Sequence, residues 1–108
     1  MKQSEMQRVL EREITRNAYQ ARMCEHIKLF GFDTGMMEYH QRTGEGKAFG
    51  LMEALTLITG KASDSVYEAA ENEADADAKA ANGNLVKMLD LAGFCGQDYY
   101  DTCKKHNA

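Results

Sequence analysis

The side chains best suited to chemistry in this sequence are carboxylates spaced one helical turn apart. Glu68 and Glu71 form one pair, with Asp75 one turn further on, and Asp98 and Asp101 form a second pair. Two carboxylates on one helical face suit a hard cation such as Mg²⁺ and, through it, a phosphate group. Magnesium-dependent hydrolysis of a nucleotide is therefore one function that the spacing allows.

A second cluster contains two thiols and an imidazole near the end of the chain. Cys95, Cys103 and His106 fall on one helical face, and Zn²⁺ binds these side-chain types. A closed zinc site needs a fourth ligand, and no further Cys or His lies nearby in sequence. Because free cysteine also packs as a small apolar residue, we expect packing here, with no metal and no cofactor.

The acidity of the chain is concentrated in one segment. The net charge is −4 over 108 residues, but residues 62–82 alone hold six acids and one lysine. Glu73 and Asp77 lie on one side of the predicted helix. The other four acids form a narrow row on the opposite side, which we call the acidic edge: Asp64, Glu68, Glu71 and Asp75. We expect the acidic edge to engage a basic groove on a partner protein, and a merely solvated helix is the alternative.

Two apolar side chains interrupt the polar side of the second predicted helix. Phe49 and Met52 lie there beside Glu45 and Glu53. Exposed aromatic and methionine side chains are common anchors in protein interfaces, so both are candidate partner-binding residues. The alternative is that the third or fifth helix covers them.

Composition favours helices throughout the chain. Ala contributes 14 residues, Leu eight and Met seven, whereas Ile and Val contribute three each and proline none. That balance suits helices and argues against an all-β fold. A pI near 5.3 argues against direct nucleic-acid binding through a broad basic face. Since no apolar run predicts a signal peptide or a membrane span, we expect a cytoplasmic protein without membrane contact.

Hydrophobic periodicity predicts one all-α domain of residues 1–108 with five helices. Residues 1–61 form a long antiparallel helical hairpin. Residues 62–82 form the acidic, alanine-rich helix, and residues 83–108 form two short helices. The helix ends are predicted at glycines with left-handed backbone, namely Gly31, Gly60, Gly83 and Gly93.

Three further glycines lie inside the second predicted helix, where each costs about 1 kcal/mol relative to alanine. One interpretation breaks the helix at residues 43–46. In the other, Gly44 and Gly50 face inward and let another helix approach closely. The apolar residues before Gly44 and those after Gly50 fall on the same helical face, which favours one unbroken helix with a close approach.

A row of arginines and a small number of large apolar residues both indicate self-association. Arg8, Arg12 and Arg16 repeat at i, i+4, an arrangement that is repulsive in a lone helix and requires acidic neighbours. We expect this row to face Glu68, Glu71 and Asp75 of the acidic edge, within the chain or across a homodimer. Leu, Ile, Val and Phe total only 18 residues, so we expect a homodimer through the hairpin, with Gly44 and Gly50 also in its interface.

The stretches EYHQRTGE at 38–45 and GLMEAL at 50–55 resemble the second helix of small hairpin proteins from bacteriophages and prophages. The resemblance covers residues 1–61 at most and implies no catalytic residue. It implies a context, because small acidic phage proteins are often inhibitors of host enzymes, including anti-CRISPR proteins. We therefore expect a non-enzymatic protein that inhibits a nucleic-acid-handling or defence protein in the cytoplasm of a bacterial host cell.

Two alternative functions remain open. The carboxylate pairs resemble those of all-α nucleotide pyrophosphatases, which implies magnesium-dependent pyrophosphohydrolysis, although Asp98 stands where that family has glutamate. The other alternative is a helical homo-oligomer with a structural or small-ligand-binding role.

Overall fold

A computed structural model describes residues 2–107 of the chain and shows an all-α protein. No strand occurs in this range, and the predicted fold class is confirmed. The first two helices pack closely as the expected hairpin. No helix among the described residues is both long enough and apolar enough to cross a bilayer. In chain order the helices are α1 (Gln3–Lys28), α2 (Thr34–Thr59), α3 (Asp64–Ala81), α4 (Leu85–Leu91) and α5 (Gly96–Asn107).

Backbone conformation explains where the helices end. Positive φ values between 71° and 95° occur at the four predicted positions, Gly31, Gly60, Gly83 and Gly93. Glycine adopts this left-handed region without the steric cost that a Cβ atom brings. The predicted helix ends are therefore confirmed, and each is set by local chemistry.

The carboxylate of Asp33 ties the end of the chain to the hairpin turn. Asp33 is the N-cap residue of α2, but its side chain makes no capping hydrogen bond. The Tyr99 hydroxyl of α5 instead donates to Asp33 Oδ2 at 2.6 Å. The rings of Phe32 and Tyr100 stack beside this bond, with their centroids 5.6 Å apart. The turn therefore holds α5 in place.

Helix α2 runs unbroken through its internal glycines, so the predicted break at residues 43–46 does not occur. Gly44 is buried against α1. A methyl group at Gly44 would lie 2.9 Å from the backbone oxygen of Asn17 and 3.1 Å from the Cβ atom of Ala21. The inward, close-approach interpretation is thus confirmed for Gly44.

The same interpretation is wrong for Gly50. Gly50 is exposed, and beyond its own stretch of helix no described atom lies within 4 Å of the position that a Cβ atom would take. Gly46 is exposed in the same way. The reason is angular, since Gly50 lies roughly 120° around the helix from Gly44 and cannot share its inward face.

The core lies where α1 meets α3 and α4. Met23 and Ile27 of α1 pack there with Met88 and Leu89 of α4. Helix α3 contributes almost only methyl groups, and its buried side chains are Ala70, Ala74, Ala78 and Ala81. Such small side chains let α3 lie close to α1 but bury little apolar area, so polar contacts must contribute to its docking.

We expect Gly44→Ala to lower the free energy of unfolding by about 1–3 kcal/mol, because the new methyl group meets backbone that cannot move aside. Gly35→Ala is the matched control, since Gly35 is exposed in the first turn of the same helix with open space around it. Urea titration of both variants provides the measurement. Equal stabilities for the two variants would show that α1 and α2 do not approach closely at Gly44.

We expect the Tyr99–Asp33 contact to weaken at high pH. Burial and the hydrogen bond to Asp33 raise the pKa of Tyr99 above its ordinary value of 10.0. A pKa raised by folding stabilises the fold below pH 10, and this contribution is lost as the pH rises further. Tyr99→Phe should therefore lower stability at pH 7 by about 1–2 kcal/mol and flatten its decline above pH 10. Chemical denaturation across this range tests both effects, with exposed Tyr39→Phe as the control.

Candidate partner-binding surface

Helix α3 presents carboxylates along both borders of the alanine face that packs on α1. The acidic edge follows one border, and Glu73 and Asp77 follow the other. The two borders meet different residues of α1. Their separate contacts decide which carboxylates remain available to a partner.

The guanidinium of Arg22 neutralises half of the acidic edge. Its Nε donates to Asp75 Oδ1 at 2.8 Å and its Nη2 donates to Asp75 Oδ2 at 3.2 Å, a bidentate pair. Its Nη1 lies 3.5 Å from Glu71 and 3.3 Å from Glu25. His26 Nε2 also lies 2.6 Å from Asp75 Oδ1. The hydrogen bond from Arg22 is the main reason that the pKa of Asp75 falls below its ordinary value.

Within the chain, the expected pairing of the arginine row with the acidic edge is wrong. Helix α3 lies between the two, so the row faces Glu73 and Asp77 across an open groove of about 1020 Å³. One arginine of the row, Arg16, reaches Glu13 of its own helix at 3.9 Å. Helical periodicity places Arg22 outside the arginine row. Arg22 contacts the acidic edge only because of where α3 packs on α1. A pairing of the row with acids of a second copy stays a prediction.

A hydrogen bond holds the other border of α3. The Tyr19 hydroxyl donates to Asp77 Oδ2 at 2.7 Å, and burial with this bond raises the pKa of Tyr19. Helix α3 is therefore fastened to α1 by Asp75 on one side and Asp77 on the other. Asp64, Glu68 and Glu73 remain exposed.

The two apolar candidates of α2 lie beside the start of α3. Phe49 is 52% exposed, and its ring stacks on Tyr67 with centroids 5.2 Å apart and planes 20° apart. Met52 is partly buried, and its backbone oxygen accepts a hydrogen bond from Ser63 Oγ at 3.1 Å. Tyr67 of α3 thus covers Phe49 in part, while half of Phe49 faces solvent.

Carboxylates surround this aromatic pair. Glu45 and Glu71 line a small polar cleft with Tyr67, and Asp64 and Glu68 lie within one turn of Tyr67 on α3. We call this surface the acidic aromatic patch, and its members are Glu45, Phe49, Asp64, Tyr67 and Glu68. Phe49, Asp64 and Glu68 are predicted site residues, whereas the sequence pattern does not predict Tyr67 as one. Its position three residues after Asp64, next to the alanine face, is the signal that identifies it.

The metal candidates stay apart from this patch. Cys103 Sγ lies 3.6 Å from Asp33 Oδ2, whereas Cys95 and His106 are exposed. Within residues 2–107 no three His, Cys, Asp or Glu side chains form a group that could hold a metal ion. The carboxylate pairs at 68–71 and 98–101 are therefore not combined into one magnesium site in the described chain.

No family model, curated protein or solved structure matches this chain.

We expect Asp75→Asn to lower the free energy of unfolding at pH 7 by about 1 kcal/mol, since a bidentate but half-exposed ion pair is lost. The pKa of Asp75 is lower in the folded chain than its ordinary value of 3.8. The pair therefore stabilises the fold above about pH 4, and its contribution is lost as the pH falls further. Between pH 7 and pH 3 the free energy of unfolding of this variant should fall less steeply with decreasing pH than that of the unmodified protein. Exposed Glu68→Gln is the control, and an equally shallow pH dependence for that variant would contradict the assignment.

Proposed function

We propose that this protein is a non-enzymatic binding protein that docks on a basic groove of another protein through the acidic aromatic patch. The observation that carries the proposal is the Phe49–Tyr67 stack, half exposed within a rim of carboxylates. A stacked pair keeps its shape on binding, because each ring limits the rotation of the other. Its apolar area is large for so few rotatable bonds.

The carboxylates define the kind of partner. Asp64 and Glu68 are exposed beside the aromatic pair, so they are free to attract cationic side chains. Glu71 and Asp75 already contact Arg22. They therefore contribute to the negative electrostatic potential of the surface more than to direct bonds with a partner. Acidic side chains at helical spacing around an apolar anchor favour a groove lined with Lys and Arg.

Grooves of that kind are typical of proteins that handle nucleic acid, because they must neutralise phosphate groups. A protein that occupies such a groove competes with the nucleic acid. The resemblance of the hairpin to small phage proteins supports the same role. We therefore propose inhibition of a host nucleic-acid-handling or defence protein as the function.

The test is quantitative affinity capture from a bacterial lysate, followed by release with duplex DNA. We expect a captured partner that DNA displaces, because both compete for one groove. Phe49→Ala should reduce recovery at least tenfold, as loss of a central aromatic anchor does. Glu68→Gln should weaken binding about three- to tenfold and reduce its dependence on salt.

The matched control is Glu73→Gln, which removes the same charge from the opposite border of the same helix. Glu73 is exposed and lies outside the patch, so its variant should retain the partner. Equal losses of partner binding for Glu68→Gln and Glu73→Gln would show that binding depends on net charge alone and not on the patch. Full recovery with Phe49→Ala would overturn the proposal.

A further inference from the structure

Helix α2 has an outward face that no other helix within residues 2–107 covers. Two of its most exposed large apolar side chains lie there, Leu57 at 80% and Tyr39 at 60% exposure. Gly46 and Gly50 lie between them, with open space at each Cβ position. At 100° per residue these four positions fall within about 40° of one another, so they form one face, which we call the outer face.

The spacing along the outer face reads the same in both directions. Tyr39 and Gly46 are seven residues apart, Gly46 and Gly50 four, and Gly50 and Leu57 seven. A two-fold axis midway between the glycines would place Gly46 opposite Gly50 of an antiparallel second helix. The same axis places Tyr39 opposite Leu57 at both ends. An isologous interface requires this kind of self-complementary pattern.

Charge complementarity identifies the occupant as a second copy. Arg42 and Glu53 are exposed on one flank of the outer face, and Arg42 also contacts Glu38 of its own helix at 3.0 Å. In the antiparallel register Arg42 of each copy lies beside Glu53 of the other, which gives two opposite-charge pairs. A parallel two-fold pairing would place these residues of the two copies on opposite flanks of the interface and would give no such pair.

The elongated shape of the chain is consistent with a long uncovered face on α2. The chain extends 51 × 24 × 20 Å with a radius of gyration of 15.3 Å, against about 13 Å for a compact domain of this size. The missing side chains of Gly46 and Gly50 also leave a furrow of about 580 Å³ between α2 and α1. We propose that the outer face binds the same face of a second copy, as an antiparallel α2–α2 homodimer whose helices cross closely at Gly46 and Gly50.

This interface is separate from the acidic aromatic patch. Phe49 lies about 80° around α2 from the outer face, on the side next to α3. Phe49 lies on the same flank as Arg42 and Glu53, so the patch borders the dimer contact but shares no residue with it. Loss of dimerisation and loss of partner binding are distinguishable, because they respond to different variants.

The test is sedimentation velocity over a range from about 1 µM to about 1 mM. The 12.1 kDa chain should sediment as a dimer that dissociates on dilution. The double variant Gly46→Leu/Gly50→Leu should weaken dimerisation at least tenfold without lowering the Tm of the monomer, because leucine favours helix and has open space there. Ala76→Leu on the exposed side of α3 is the control and should retain the dimer.

A charge swap tests the register. Arg42→Glu and Glu53→Arg should each weaken the dimer, and the double swap should restore it. A chain that stays monomeric at every concentration would overturn the proposal. So would a dimer that tolerates the leucines at positions 46 and 50, or one that the double swap fails to restore.

Discussion

The docking of α3 on α1 is the interaction on which the rest of the structure depends. Helix α3 offers almost only methyl groups at its buried face, and such a face binds weakly in water. Its attachment is completed by polar bonds at both borders, from Arg22 to Asp75 and from Tyr19 to Asp77. These bonds consume two of the six carboxylates of α3 and leave others to face solvent.

The same docking gives α2 two different edges. One edge meets α3, where Phe49 stacks on Tyr67 and the neighbouring acids are exposed. The other carries the outer face with Gly46 and Gly50. An aromatic, acidic surface and a small-residue surface thus lie side by side on one helix. The elongated shape follows, since a hairpin covered on one side alone cannot become compact.

Positions determined by local backbone chemistry were predicted well, and long-range pairings were not. The four glycine helix ends follow from positive φ, which neighbouring residues decide. Gly96 shows the opposite case, since a methyl group there would collide with the backbone oxygen of Val86, a contact that no local pattern reveals. Asp33 holds the N-cap position of α2, yet its carboxylate bonds Tyr99, which is 66 residues away in sequence.

The sequence by itself determined the all-α class, the five helices, their ends and the concentration of acid in one of them. Composition, periodicity and glycine chemistry act within a few residues, so they can be evaluated along the chain. Only the tertiary structure decided that Arg22, rather than the row at Arg8, Arg12 and Arg16, meets the acidic edge. It also decided that Gly44 and not Gly50 touches α1. Both depend on which sides of two helices face each other, a choice made by the packing of the whole molecule.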